Sequence, residues 1–296
     1  MTVPESVLIL AAHGSSHGRA KAALAAFAER VQREHPDVRV LCAHTAGQSP
    51  HALRTDVAPG MEEALHALAQ TPDGTPKILR VQSLHVIAGR EFDRMRALSR
   101  EFAKREGWDV AVAGPLLSCA ADAPLVAEAL IESMTKCMMF DITNGMTVDS
   151  PDATPGAAPA ARSATGEAVV LMGHGTTHGA QELYRCLAAR LTVELPLARL
   201  GVMETANPHS SLSIQAIAHG LAEHCIRRAR LIPFLTVAGR HAHNDLAGDQ
   251  PGSWKSILAE RGIEGIPDLA GLIERDTFVR LWLNSVRTLL NSGANR

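Results

Sequence analysis

Three pairs of short segments in this chain place metal-binding or proton-accepting side chains directly after apolar runs. His13-Gly14-Ser15-Ser16-His17-Gly18 recurs as His174-Gly175-Thr176-Thr177-His178-Gly179. His44-Thr45-Ala46 recurs as Glu204-Thr205-Ala206, and Val86-Ile87-Ala88-Gly89-Arg90-Glu91 as Thr236-Val237-Ala238-Gly239-Arg240-His241. The order is the same in both halves. The matched polar positions are therefore His13, His44 and Glu91 in the first half, and His174, Glu204 and His241 in the second. Two neutral imidazoles and a carboxylate suit a borderline divalent ion such as Co²⁺, Ni²⁺, Fe²⁺ or Zn²⁺, and ligand type alone does not choose among them. A histidine with an ordinary pKa of ~6.5 also accepts a proton near neutral pH.

These positions need elements to carry them. Short apolar runs alternate with amphipathic stretches along the chain. Strands are expected over Ser6–Ala12, Val38–Ala43, Ile78–His85 and Trp108–Ala113, and helices over Gly18–Arg33, Met61–Ala69, Glu91–Arg105 and Ala123–Met134. The series restarts with strands over Ala168–Met172, Arg199–Met203 and Ala229–Leu235. Its helices follow Gly179 and lie near Leu212–His224, Ser253–Arg261 and Asp276–Leu290. Such βα alternation predicts an α/β fold of parallel sheets with helices on both faces. Three matched blocks in one order predict a duplicated half-domain. Open parallel sheets hold ligands beyond the carboxyl ends of their strands, where all six matched positions fall.

The domain organisation expected is an N-terminal lobe over 1–135, a linker or surface excursion over 136–166, and a C-terminal lobe over 167–296 that carries the metal site. Pro151–Gly166 holds three prolines among Ala, Ser and Thr and shows no periodicity. The 296 residues, 46% hydrophobic and only 3% aromatic, are ample for a core of aliphatic side chains. With 29 basic and 31 acidic residues there is no charge excess suited to nucleic acid. Five scattered cysteines form no C-x-x-C pair, which fits a reducing compartment. The run Val7–Ala12 is too short for a secretory signal, and no stretch reaches the ~18 apolar residues of a membrane helix. A cytoplasmic protein with no membrane partner is expected. The Ala-rich helices suit a homo-oligomeric face and helix-on-sheet packing equally.

Other histidines read more simply. His17, His51, His209, His219 and His224 are expected to be structural or solvated. His178 and His243 lie beside proposed ligands and would orient them from behind. Histidine phosphatases place an arginine before a nucleophilic His-Gly, but Ala12 and Gly173 stand there, so phosphoryl transfer is not indicated.

The chain resembles the anaerobic sirohydrochlorin cobaltochelatases of the class II chelatase family. The resemblance rests on Gln82-Ser83-Leu84-His85 with Gly89 and Glu91, on Met172-Gly173-His174-Gly175, and on Glu204. It continues through Val237-Ala238-Gly239 with His241, Asn244 and Asp245, and through Ser253-Trp254-Lys255. What it implies is two similar flavodoxin-like lobes with a cleft between them. The implied activity is insertion of Co²⁺, as substrate ion, into the tetrapyrrole sirohydrochlorin during cobalamin biosynthesis, without ATP or an organic cofactor. His174, Glu204 and His241 would be both metal ligands and catalytic groups, with His174 the leading base. Ser83, Leu84, His85, Glu91, Arg90 and Arg240 would contact the substrate, and the two arginines would meet its carboxylates. His13 departs from the family pattern, where a small or uncharged residue is expected, which leaves an extra contact to the ion open. Iron or nickel insertion on the same scaffold, and a non-catalytic metal or tetrapyrrole carrier, are the alternatives.

Overall fold

The computed structural model describes residues 6–46, 58–70, 77–143, 166–176, 179–205 and 210–292. The first half runs β1 Ser6–Ala12, α1 Gly18–Glu34, β2 Arg39–His44, α2 Met61–Ala69, β3 Ile78–Ser83, α3 Arg90–Glu106, β4 Asp109–Val112 and α4 Ala123–Thr143. The second runs β5 Ala168–Gly175, α5 Gln181–Glu194, β6 Ala198–Glu204, α6 Ile214–Glu223, β7 Arg228–Pro233, α7 Trp254–Ala259, β8 Glu264–Pro267 and α8 Asp276–Asn291. Both four-stranded sheets are wholly parallel, with orders β2-β1-β3-β4 and β6-β5-β7-β8. One topology is thus built twice, and its α/β class is the one expected from the sequence.

Strand alternation distributes the apolar side chains. From β1, Val7 and Ile9 face an outer cluster with Phe92, Met95 and Phe102 of α3. Leu8 and Leu10 face inward to a cluster shared with Val169 and Leu171 of β5. Val170 and Met172 of β5 turn to the other outer cluster, with Ile217, Leu221 and Leu258. Every residue of β1 after Ser6 is buried, as a strand covered on both faces requires.

The shared inner cluster joins the lobes. Helix α8, from the end of the chain, packs on β3 and α4, and α4 packs on α5. Phe27 of α1 meets Trp282 of α8 edge-on, with ring centroids 6.4 Å apart. The final helix therefore contributes to the core of the first sheet, so a lobe boundary drawn only by position along the chain misses this exchange. Ion pairs cross the same seam: Arg287–Glu34 at 3.4 Å, Arg280–Glu132 at 2.8 Å and Arg19–Glu274 at 2.6 Å.

Two local expectations change. Helix α4 continues to Thr143, past the boundary at 135, and the rest of the 136–166 region lies outside the described residues apart from Gly166. Strand β8 was not expected, because Glu264-Gly-Ile-Pro267 is short and carries two residues that disfavour strands. It pairs with β7 at the sheet edge, as β4 pairs with β3. Among the described residues no helix is long and apolar enough to cross a membrane.

Trp282 is fully buried where the two halves meet. Trp282→Ala should cost about 3–5 kcal/mol. Urea unfolding followed by far-UV circular dichroism and by the fluorescence of the remaining tryptophans, Trp108 in the first half and Trp254 in the second, should still show one coincident transition. Separate transitions would mean that the halves are not coupled through α8.

Candidate metal and substrate site

Each central strand ends in a His-Gly turn whose glycine is required. Gly14 has φ +90° and Gly175 φ +85°, the left-handed region that L side chains disfavour. A Cβ at Gly14 would lie 2.9 Å from His44 Cβ, and one at Gly175 would lie 2.4 Å from the Glu204 carbonyl oxygen. In both halves the turn after the first strand is thus pressed against the matched residue at the end of the second. The pairing Gly175↔Glu204 sets this register in the second sheet.

Behind the second turn sits Tyr184 of α5. It is fully buried, its ring stacks edge-on to Phe234, and its hydroxyl bonds the backbone of Gly175 and His174. Burial pushes the phenol far above its usual range, so it stays protonated. Gly173 leaves room for the ring, since a Cβ there would be 2.7 Å from it.

Around this turn His174 lies near both Glu204 and His241, and of the three His174 and His241 line the interlobe cavity while Glu204 does not. His174 Nδ1 lies 4.0 Å from a Glu204 carboxylate oxygen and 3.2 Å from the Gly175 carbonyl oxygen. The His174 and His241 rings are perpendicular, with centroids 5.3 Å apart. His174 Nδ1 donates to the Gly175 carbonyl, so the His174 lone pair is on Nε2 as the ring stands, and the 4.0 Å distance places Glu204 beside the ring without making the two a ligand pair. Among the described residues no three His, Cys, Asp or Glu side chains form a complete metal set as they stand. Glu204 is exposed and must turn toward the imidazoles to complete one.

His241 has a fixed orientation. Its Nδ1 meets Asp245 Oδ2 at 2.6 Å across a π-helical turn, Ala242–Leu246. A carboxylate on Nδ1 favours Nδ1–H and leaves the Nε2 lone pair for an ion. The signal for Asp245 was its spacing four residues beyond His241, though the sequence alone does not place it among the site residues.

A cavity of about 610 Å³ lies between the lobes. His13, His44 and Glu91 line it from the first half, and His174, His241 and Arg240 from the second. It thus occupies the switch points of both sheets, where the connections after β1 and β3, and after β5 and β7, diverge. The turns also hold each other: Thr236 Oγ1 donates to the Leu84 carbonyl oxygen, across the lobes.

His13 is reached by water through the cavity, yet protein surrounds it closely enough to desolvate it. Desolvation lowers its pKa from 6.5. Glu91 opposes this, while His174, His241 and His44 add to it. His13 is therefore neutral at pH 7.

His85 lines the cavity with both ring nitrogens engaged. Thr45 Oγ1 donates to the Ala12 carbonyl oxygen at 3.2 Å, so it accepts from His85 Nε2 at 2.8 Å. Ser83 Oγ accepts the His85 backbone N–H at 3.2 Å and donates to Nδ1 at 2.9 Å. Desolvation foremost, then the nearby His13, pushes its pKa down to about 4, with Glu91 opposing. His85 is a neutral brace.

Other expected contacts lie elsewhere. Ser83 and Leu84 are buried behind His85 rather than on the cavity surface, and Arg90 is exposed outside the lining. His243 stacks on His17, with centroids 3.9 Å apart, and bonds the Gly239 carbonyl oxygen at 2.9 Å. His178, with His51 and His209, lies outside the described residues. The segment Ser253-Trp254-Lys255 is structural: Ser253 caps α7, Trp254 is buried and Lys255 pairs with Asp249 at 2.7 Å. Tyr184 and Lys21 also line the cavity and carry no motif that would have marked them.

The family model for cobalt chelatase (CbiK) matches residues 6–148 and 157–291, nearly the whole chain. The chain belongs to the cobalt chelatase family. The break between the matched segments falls inside the 136–166 region. The chain is 31% identical over 286 residues to the sirohydrochlorin cobaltochelatase CbiKC of Nitratidesulfovibrio vulgaris, covering 96% of this chain and 90% of that protein. It is 26% identical to the sirohydrochlorin cobaltochelatase of Salmonella typhimurium, covering 97% of each. Among solved structures, SirB from Bacillus subtilis with Fe³⁺ aligns over 99% of this chain and 98% of that one, with TM-score 0.62 and 14% identity. The sirohydrochlorin chelatase SirB from Bacillus subtilis subspecies spizizenii in complex with cobalt aligns with TM-score 0.57, also at 14% identity. These last two speak for the fold, and the two-lobed chelatase-like architecture expected from the sequence is the one observed.

His85 links pH to stability. Its folded pKa is below the unfolded value of ~6.5, so its contribution is full above pH ~6.5 and is lost as pH falls toward 4. The loss reaches at most about 3 kcal/mol. Urea titrations from pH 7.5 to 4 should show a shallower decline for His85→Gln than for the parent. Parallel declines would contradict the neutral, doubly bonded ring.

Proposed function

We propose that this chain inserts Co²⁺ into sirohydrochlorin, with His174, Glu204 and His241 as the metal-handling groups. The observation that carries the reading is the convergence of His174 and His241 on the interlobe cavity, with Glu204 4.0 Å from His174, in a chain of the cobalt chelatase family.

Metallation exchanges two pyrrole N–H protons for one divalent ion, so a site must hold the ion, accept protons and position a large ring. His241, oriented by Asp245, presents Nε2 to the ion, and Glu204 contributes negative charge. His174 lines the cavity beside Glu204, where its one free lone pair would hold the ion first and, once the ion has passed to the ring, accept a pyrrole proton as the leading base. His13 on the facing lobe is neutral and able to take the second proton, next to Glu91, which stabilises the imidazolium that results.

Sirohydrochlorin with Co²⁺, followed by visible absorbance, tests this. The parent should convert the spectrum without ATP, and His174→Ala and His241→Ala should each lower the rate about 100-fold or more. Asp245→Asn should weaken Co²⁺ binding by about 10–100-fold. Alanine variants that metallate at the parent rate would remove these residues from the mechanism. Binding of sirohydrochlorin with no spectral conversion would make the chain a carrier, and faster conversion with limiting Fe²⁺ or Ni²⁺ would change the metal.

A further inference from the structure

The two histidines of the second half are each oriented through their own rings, His174 by the Gly175 carbonyl oxygen at 3.2 Å and His241 by Asp245 at 2.6 Å. His13, across the cavity, is placed differently. Among the described residues its ring makes no hydrogen bond, so its position is set by the backbone that carries it. That backbone is held at three successive carbonyl oxygens. Leu84 N–H donates to Ala11 at 2.8 Å, Thr45 N–H to Ala12 at 2.8 Å and Ala46 N–H to His13 at 3.2 Å.

His85 locks this frame with side-chain bonds. A line of hydrogen bonds runs from Ser83 Oγ to His85 Nδ1 at 2.9 Å, from His85 Nε2 to Thr45 Oγ1 at 2.8 Å, and from Thr45 Oγ1 to the Ala12 carbonyl oxygen at 3.2 Å. It ends on the peptide that leads into His13. Phe92 meets the His85 ring edge-on, with centroids 6.2 Å apart. With both ring nitrogens engaged, His85 offers the cavity only carbon atoms, although it lines the wall.

The second half closes its own His-Gly turn without this line. Leu235 stands at the position of His85, and Phe234 N–H bonds Met172 as Leu84 N–H bonds Ala11. Pro233 stands at the position of Ser83, so the first donor is missing as well. Gly173 instead admits the Tyr184 ring beneath the turn, whereas Ala12 at the matched position carries a methyl group. The fold therefore does not require the polar line. It accompanies His13, the imidazole whose own ring is unanchored.

We infer that His85 is a positioning residue for His13: through Thr45 and the Ala12 carbonyl oxygen it fixes where the His13 imidazole meets the tetrapyrrole, without itself exchanging a proton or binding the ion. This rests on the chelatase reading above, in which His13 takes the second pyrrole proton, and deepens it. A displaced acceptor slows proton transfer but leaves the surface that binds the ring in place, so the effect belongs in kcat.

The experiment measures kcat and KM for Co²⁺ insertion into sirohydrochlorin by the full chain, with thermal unfolding of each variant beside it. His85→Leu, which copies the second half, and Thr45→Val, which removes the middle of the line, should each lower kcat about 10- to 100-fold. KM for the ring should stay within about twofold of the parent. His85→Gln keeps an amide donor for Thr45 and should restore most of kcat. In a His13→Ala background neither His85→Leu nor Thr45→Val should lower kcat further, because residues that act as one unit are not additive. An unchanged kcat, a loss confined to KM, or an equal loss with and without His13 would overturn the inference and leave metallation by the parent intact. A parent that does not metallate the ring would overturn the chelatase reading and this inference with it.

Discussion

The close approach of the His-Gly turn to the end of the neighbouring strand is the constraint on which the site depends. At Gly175 a positive φ and a distance of 2.4 Å from a would-be Cβ to the Glu204 carbonyl oxygen leave space for glycine alone. That contact holds His174 beside Glu204. Tyr184 supports the turn from below, and Gly173 leaves space for its ring. The turn is therefore fixed by packing within the fold itself.

The duplication places a second turn, Gly14 against His44, at the other wall of the cavity. The two halves have since diverged in chemistry while keeping this geometry. The second half pairs His241 with Asp245 and sets a carboxylate beside His174. The first half has His13, whose pKa is lowered by partial desolvation, and spends His85 on a brace between Ser83 and Thr45. The shared inner core, with α8 against the first sheet, holds the walls in fixed relation.

Much of this was legible in the residues. The periodicity of β1 and β5, and three matched blocks in one order, indicated a duplicated parallel α/β fold. The positions of His174, Glu204 and His241 after successive strands predicted that they lie at one sheet edge, where His174 is near both of the others and, with His241, lines the cavity. What was illegible depends on long-range packing. Tyr184 looks like any residue of an apolar helix face until it meets the His174 backbone. Ser83 and Leu84 share a recognisable segment with His85 but face the interior, since strand alternation and the turn after β3 set their direction. Lys21 reads as a solvated helix residue, and Arg90 and Arg240 look equivalent although only Arg240 reaches the cavity. Strand β8 is specified by its pairing with β7 more than by its own composition.

The central claim is that His174, Glu204 and His241 share one divalent ion. X-ray absorption at the cobalt edge of the Co²⁺-loaded chain without tetrapyrrole addresses it most directly. The account predicts a nitrogen and oxygen shell with scattering from two imidazoles, falling to one in His241→Ala. A spectrum of fully hydrated Co²⁺, or one unchanged by His241→Ala, would contradict it.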